Sequence, residues 1–403
     1  MVALERYRQV LALPGCRTLI ILMFFARIPP AAAGITLTLH VAVGLGRGYG
    51  AAGLVGAAAT IGIAVGAPLI GRVIDRYGLR PVIVVTTIGE ALFWSTGSLL
   101  PYPALLICGF VGGIVVLPAM SIGRQAIAAL VPDDQRRTAY SLDSVSTELC
   151  FMAGPALAVF LVAETSSRVA MLGLAGGVIA AGIGLYVINP AVRGENEAVV
   201  DGPRPARRSW LTGRFAGVLL IAGGAVFVLA GTEVSVVAQL RASDQVGWTG
   251  LVMTTWAAMS AMGGIIYGGI RRSLPQVTLM TLLGVCTIPV GLSDGPWWLL
   301  AIALVPCGLL CAPTVTATGE EVSRLAPVGV RGEAMGLQSS AFTLGAAAGA
   351  PVVGFVVDHS TPAWGFAAAG LGGALVAALA ALLMRRPNEK RRAPADTVPV
   401  LAD

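Results

Sequence analysis

The chain has 403 residues, of which 56% are hydrophobic and only 12% charged. A soluble domain carries about 25% charged residues, so this one cannot coat a water-facing surface, and the bulk of its surroundings must be lipid. The net charge of +6 comes from basic residues scattered through short loops. They form no stripe of the kind that binds nucleic acid.

The N-terminus begins with basic residues, then an apolar run, then Ala31-Ala32-Ala33, which imitates a secretory leader and its cleavage site. The run continues to about Val43, so it is expected to stay as the first membrane span. A span needs roughly 20 apolar residues. Twelve stretches qualify: 17–43, 51–71, 81–101, 104–130, 140–163, 168–188, 215–240, 248–270, 275–295, 297–322, 333–357 and 363–384. Numbering them spans 1 to 12 and placing the N-terminus in the cytoplasm puts 23 of the 27 Lys and Arg residues inside and three (Arg47, Arg168 and Arg241) outside. Arg124, near the inner end of its span, is counted inside, and Arg27 alone lies deep within a span. Trp248, Trp297, Trp298, Trp364, Tyr49 and Tyr102 then fall at outer ends, as an interfacial aromatic belt should.

The longest loop, 189–214, is rich in Pro, Arg and acids. It reads as a cytoplasmic linker between an N-terminal bundle (1–188) and a C-terminal bundle (215–384), with a cytoplasmic tail at 385–403. The bundles repeat. Gly53-Leu54-Val55 recurs as Gly250-Leu251-Val252, Gly66 as Gly263 and Gly71 as Gly268. Pro118 matches Pro313, and Gly154-Pro155 lines up with Gly349-Ala350-Pro351. Parallel repeats of this kind are the mark of carriers that rock about a midplane site. The expected fold is an all-α membrane protein: twelve transmembrane helices in two pseudo-symmetric six-helix bundles.

Between spans 2 and 3 the chain reads Gly71-Arg72-Val73-Ile74-Asp75-Arg76-Tyr77-Gly78-Leu79-Arg80. This resembles the loop motif of the major facilitator superfamily, Gly-x-Leu-x-Asp-Arg-x-Gly-Arg-Arg. Gly71, Asp75, Arg76, Gly78 and Arg80 match, while Val73 and Leu79 depart. The resemblance covers about 10–385. It implies that the Asp75 cluster meets the cytoplasmic start of span 11 and acts as a conformational gate. Gly154-Pro155 in span 5 looks like the Gly-Pro motif of superfamily antiporters, in degenerate form: Cys150 stands where a glycine is usual and Ala158-Val159 replaces Gly-Gly. It tilts the reading toward export.

Ionisable groups within spans are costly and mark sites. Arg27, Glu90, Glu148 and Glu233 stand out. Arg27 lies near the midplane, where Pro29-Pro30 are expected to break span 1. It could bind an anionic substrate group, hold a titrating carboxylate, or make a structural ion pair. Because the family fold makes spans 1 and 5 neighbours, an Arg27–Glu148 pair is expected, either as a proton-coupling element or as a permanent tie. Glu233 is a second proton site, a site for a cationic group, or an interfacial acid. Glu90 reads as structural. The family fold surrounds its cavity with spans 1, 4, 7 and 10, which makes Thr38, Met120, Ser121, Phe227, Thr314 and Thr318 candidate walls, a lining suited to a moderately hydrophobic molecule.

Cys307 and Cys311 share a helix face, but no His or acid stands beside them, so no metal site is expected. No phosphate-binding loop and no nucleophile–base pair is present, which leaves no expected cofactor and no enzyme. The combined expectation is a monomeric transporter that exports a small hydrophobic drug or metabolite by alternating access, exchanging it for protons. Uptake of an organic anion and a non-transporting receptor or scaffold are the alternatives. The near-exclusive use of Arg over Lys suggests a bacterial inner membrane, with both termini cytoplasmic.

Overall fold

The computed structural model describes residues 2–192, 205–270, 274–293 and 295–385, and every regular element among them is helical. Among the described residues ten helices are long and apolar enough to cross a bilayer: Cys16–Gly44, Gly50–Tyr77, Leu79–Leu99, Tyr102–Leu130, Arg136–Glu164, Ser167–Ile188, Gly213–Ala242, Val246–Gly269, Val328–Asp358 and Pro362–Met384. These are spans 1 to 8, 11 and 12. Span 10 is a bent pair, Trp297–Ala303 and Val305–Leu325, at 42°.

Span 9, Gln276–Leu292, is shorter. Its 12 α-helical residues are followed by 5 in a 3₁₀ turn. At 1.5 and 2.0 Å per residue it reaches about 28 Å, close to the thickness of a hydrocarbon core. The tighter helix restores the length that its residue number lacks. The linker and tail fall partly outside the described residues, at 193–204 and 386–403.

Pro29 and Pro30 do not break span 1. The helix runs unbroken from Cys16 to Leu39. Gly177 of span 6 makes room for the Pro29 ring, since a β-carbon on Gly177 would sit 2.9 Å from its Cγ. The break comes in span 4, between Tyr102–Ile114 and Ala119–Leu130. There the carboxylate of Glu90, on span 3, accepts the Leu117 N–H at 2.7 Å and the Trp94 indole N–H at 3.4 Å. An interrupted helix leaves backbone donors that lipid cannot satisfy, and Glu90 meets one of them.

In lipid, apolar burial does not drive helices together, so close backbone approach at small residues does. The repeated glycines act in this way. A β-carbon on Gly66 would lie 2.3 Å from the Ile114 carbonyl oxygen, and one on Gly263 would lie 2.0 Å from that of Leu309. The first holds span 2 on span 4, and the second holds span 8 on span 10. Five residues on in each half, the contacts cross between halves. Gly71 meets the Gly332 carbonyl of span 11, and Gly268 meets Ser141 of span 5 and the Tyr7 hydroxyl. The matched positions of the sequence thus make matched contacts in space. Further out on span 2, Gly50, Gly53 and Gly56 face open space, as does Gly250 on span 8. The halves are pinched together at the Arg-rich end and not at these positions.

The N-terminal helix Val2–Ala12 lies at this pinched end. The Tyr7 hydroxyl donates to the Ile265 carbonyl at 2.6 Å and pairs with Ser141 Oγ at 3.2 Å, while Arg6 reaches the Gly269 carbonyl at 3.3 Å. The helix therefore straps the seam between spans 5 and 8.

Candidate functional site

Arg27 is completely buried and pairs with Asp143, not with Glu148. Its Nη1 lies 2.7 Å from Asp143 Oδ1 and donates to Thr147 Oγ1 at 2.9 Å. Helix geometry explains the correction. Asp143 and Thr147 are one turn apart on span 5 and face span 1 together, whereas Glu148 lies five residues from Asp143 and is turned about 140° away. Moreover, side chains on a helix lean toward its N-terminus. Arg27 therefore reaches back toward the Arg-rich end, where Asp143 lies. Span 5 begins at Arg136, earlier than the sequence suggests, so Asp143 is seven residues inside the helix rather than at its mouth.

A second cation shares that carboxylate. Arg124 of span 4 places Nε 3.9 Å from Asp143 Oδ2, and its guanidinium lies over the Phe342 ring of span 11, 4.8 Å from the centroid. Arg27, Arg124 and Asp143 thus connect spans 1, 4 and 5 and touch the opposite half. Arg27 Nε and Nη2 and Arg124 Nη1 are buried with no hydrogen-bond acceptor among the described residues.

Glu148 instead faces the C-terminal half. Ser260 Oγ of span 8 donates to its Oε1, and the same Ser260 oxygen accepts the Ala312 N–H of span 10 at 3.2 Å. Nearby, the Ser144 and Thr316 hydroxyls bond across the halves at 2.9 Å. Glu148 is about 18 Å along span 5 from Arg136, roughly half-way through a bilayer.

Toward the Arg-rich surface the seam between spans 2 and 11 carries charge. The two oxygens of Asp75 accept the Gly332 and Glu333 N–H groups at 2.8 and 2.9 Å, in the first turn of span 11. Glu333 is buried and receives Arg72 at 2.7 Å and Arg207, from the linker helix Arg207–Trp210, at 2.6 Å. The seam between spans 5 and 8 is fastened by Thr138, whose hydroxyl donates to the Gly268 carbonyl at 2.6 Å, and by Ser141, which donates to that of Gly264. Beside it Arg137 pairs with Glu320 at 3.0 Å.

A family model described as Major Facilitator Superfamily matches residues 19–293 and 244–401. The chain belongs to the Major Facilitator Superfamily. Solved superfamily structures agree in fold. The human organic anion transporter MFSD10 (TETRAN) is 19% identical with a TM-score of 0.69, over 91% of this chain and 100% of that one. The proton:xylose symporter XylE is 13% identical at a TM-score of 0.71, over 92% and 96%. A bacterial homologue of the iron transporter ferroportin, in its outward-facing state with soaked iron, is 15% identical at 0.70, over 92% and 99%. No curated protein matches. As a superfamily member the chain is a multi-pass membrane transporter and not an enzyme.

The other residues singled out in the sequence fall in several places around this superfamily core. Of the loop motif, Gly71 and Asp75 reach the opposite half. Arg76 lies over its neighbour Tyr77, and Arg80 ties to Tyr186 of span 6. Gly78 takes φ 82°, the left-handed turn that ends span 2. Gly154 packs against the backbone of Ala31 and Ala32 in span 1. Its repeat partner Gly349 packs against Phe227 in span 7 in the same way. The Gly154 contact therefore belongs to the architecture of both halves.

Thr314 and Thr318 are buried and donate to carbonyls of their own helix, and Thr38 donates to Gly34 in the same manner. The Phe227 ring packs over Gly372 of span 12, so it faces a peripheral helix rather than a central cavity. Met120 is half-buried one turn outward of Arg124, beside buried Ser121. Glu233 is exposed in the outer part of span 7, about 13 Å further along the bundle than Arg27. Sequence reading missed Arg72, Arg124, Asp143, Ser260 and Glu333. Asp143 and Arg124 stood close enough to loop charges to read as interfacial. Ser260 carried no signal until Glu148 was seen beside it.

Proposed function

We propose that this superfamily member exports a small, fairly hydrophobic compound in exchange for protons. It works as a monomer in a bacterial inner membrane with both termini in the cytoplasm. The Arg-rich end is then the cytoplasmic one, by the rule that basic loops stay inside, and the pinched state faces outward.

The observation that carries the reading is the Glu148–Ser260 bond. It joins a carboxyl of one half to a hydroxyl of the other, in the part of the seam nearest the midplane. No Lys, Arg or His among the described residues forms an ion pair with Glu148. Parting the halves removes Ser260 and leaves the carboxyl to water or substrate. A state that supplies a hydrogen-bond donor and a state that does not differ in how well they hold the ionised form. Proton occupancy and conformation are therefore linked, and a ligand that prefers one state moves the other.

The test is transport by proteoliposomes under an imposed pH gradient, across a panel of amphiphilic compounds. Wild type should accumulate at least one compound against its gradient. Glu148→Gln should lose that accumulation while keeping substrate exchange without a gradient. Normal gradient-driven accumulation by Glu148→Gln would remove Glu148 from the coupling step. A wild-type protein that moves nothing would favour a non-transporting receptor on the same fold.

A further inference from the structure

The Arg27–Arg124–Asp143 cluster contains two cations and one anion, all nine-tenths or more buried. A single unpaired charge at this depth is strongly unfavourable. The Phe342 ring answers part of the Arg124 charge by its π-face. It does nothing for the hydrogen-bonding capacity. Arg27 Nε, Arg27 Nη2 and Arg124 Nη1 remain N–H donors with no acceptor among the described residues. Buried donors in folded proteins almost always have acceptors, so a set of three beside a surplus positive charge describes a missing partner. That partner has one negative charge and at least two acceptor oxygens.

The surroundings describe the rest of it. Met120 stands one turn from Arg124 on span 4, the Phe342 ring of span 11 lies over the guanidinium, and both are half-buried, one from each half. The cations therefore lie beside partly buried apolar side chains contributed by both halves. Gly319 of span 10 closes the other side, with its would-be β-carbon 3.4 Å from Arg124 Nη1. That is van der Waals contact, so a β-carbon would just touch the guanidinium and only a longer side chain would crowd it.

We propose that the transported compound is a monoanion: an apolar body with a single carboxylate or equivalent group that docks on Arg124 and Arg27 beside Asp143. This rests on the chain being a carrier but is independent of export and of proton exchange. One charge is the limit. The surplus is a single cation, and a dianion would face Asp143 uncompensated. Arg124 is the residue that sets this preference, because Arg27 keeps Asp143 as its own partner whether or not a ligand is bound.

The experiment is equilibrium binding to purified full-length protein in nanodiscs of neutral lipid. The probes are 1-naphthoate, 1-naphthamide and 1-naphthylmethylammonium, which share a ring system and differ in head-group charge. The acid should bind at least about tenfold more tightly than the amide, the margin of one charge-assisted hydrogen bond. Arg124→Gln should abolish that margin and keep a monodisperse size-exclusion profile, since the Arg27–Asp143 pair remains. If Arg124→Gln does not fold, Arg124→Lys keeps the charge without the planar fork and should retain only part of the margin.

Equal binding of acid and amide, binding of none of the three, or a margin unchanged in folded Arg124→Gln or Arg124→Lys would overturn the proposal. No gradient is applied, so a failure of proton coupling leaves this result untouched, and a failure here leaves the Glu148 test standing.

Discussion

Asp75→Asn is the most direct probe of how the pinched state is held. Each Asp75 oxygen accepts one backbone N–H of span 11, at 2.8 and 2.9 Å. Asparagine keeps one acceptor and turns an NH₂ group toward the second N–H, so one bond is lost and one donor is orphaned. A hydrogen bond to a charged group contributes about 1.5–3 kcal/mol, and an orphaned donor costs about 1–3. With half-burial taken into account, a loss of about 3 kcal/mol is expected, a shift of roughly 150-fold in a two-state equilibrium. A 99:1 preference for the pinched state would fall to roughly 2:3.

The assay is a distance distribution between spin labels at Gly50→Cys and Gly250→Cys, where a β-carbon meets nothing within 4 Å. The background should lack Cys108 and Cys286, the two half-buried native thiols. Wild type should give one long distance, and Asp75→Asn should add a comparable shorter population. An unchanged distribution from folded protein would refute the reasoning, because Asp75 would then contribute nothing to the choice of state.

Three further outcomes follow from the same geometry. Asp143→Ala leaves Arg27 buried without its counter-ion, a loss of about 3–5 kcal/mol. The yield of folded protein should drop, and Arg27→Met in the same chain should restore part of it. Gly71→Ala and Gly263→Ala both drive a methyl into a carbonyl. The first collision lies between halves and should shift the label distances with little loss of protein, while the second lies within a half and should lower the thermal unfolding temperature. The Tyr7 phenol lies outside the spans, and burial raises its pKa above the ordinary 10.0. A raised value means that its bond to Ile265 is fully present below pH 10 and fades only as alkali passes the higher value. The label distances should be insensitive to Tyr7→Phe at high pH and sensitive to it at neutral pH, by about fivefold for one hydrogen bond of about 1 kcal/mol.

Twelve spans, the repeat and the membrane setting were legible because apolar length, Arg placement and glycine register are one-dimensional signals. The charge cluster was not. Arg27 announced itself as an arginine inside an apolar run, but its partner depended on which face of span 5 turns toward span 1. That face follows from where the helix begins, and Arg136 and Arg137 disguised the beginning as a loop. Glu148 was visible as an intramembrane acid, yet its contact lies in the other half of the chain, 112 residues away. The break in the chain was expected at Pro29-Pro30, the stronger local signal, and it occurred at Val115–Pro118. Gly177 accommodates the first site, and Glu90 satisfies the second.

The glycine contacts between the halves have a mechanical consequence. At Gly71 and Gly332 backbone rests on backbone, and the side chain that reaches Gly332 is the Asp75 carboxylate. Once the carboxylate bonds release, surfaces of this kind can separate with little further side-chain rearrangement. Friction along the seam is then low, and the tendency to stay shut comes from a few polar bonds set beside it. Widening a glycine should spoil the fit of the closed seam as well as its preference, whereas removing a carboxylate should shift the preference and leave the backbone contact intact.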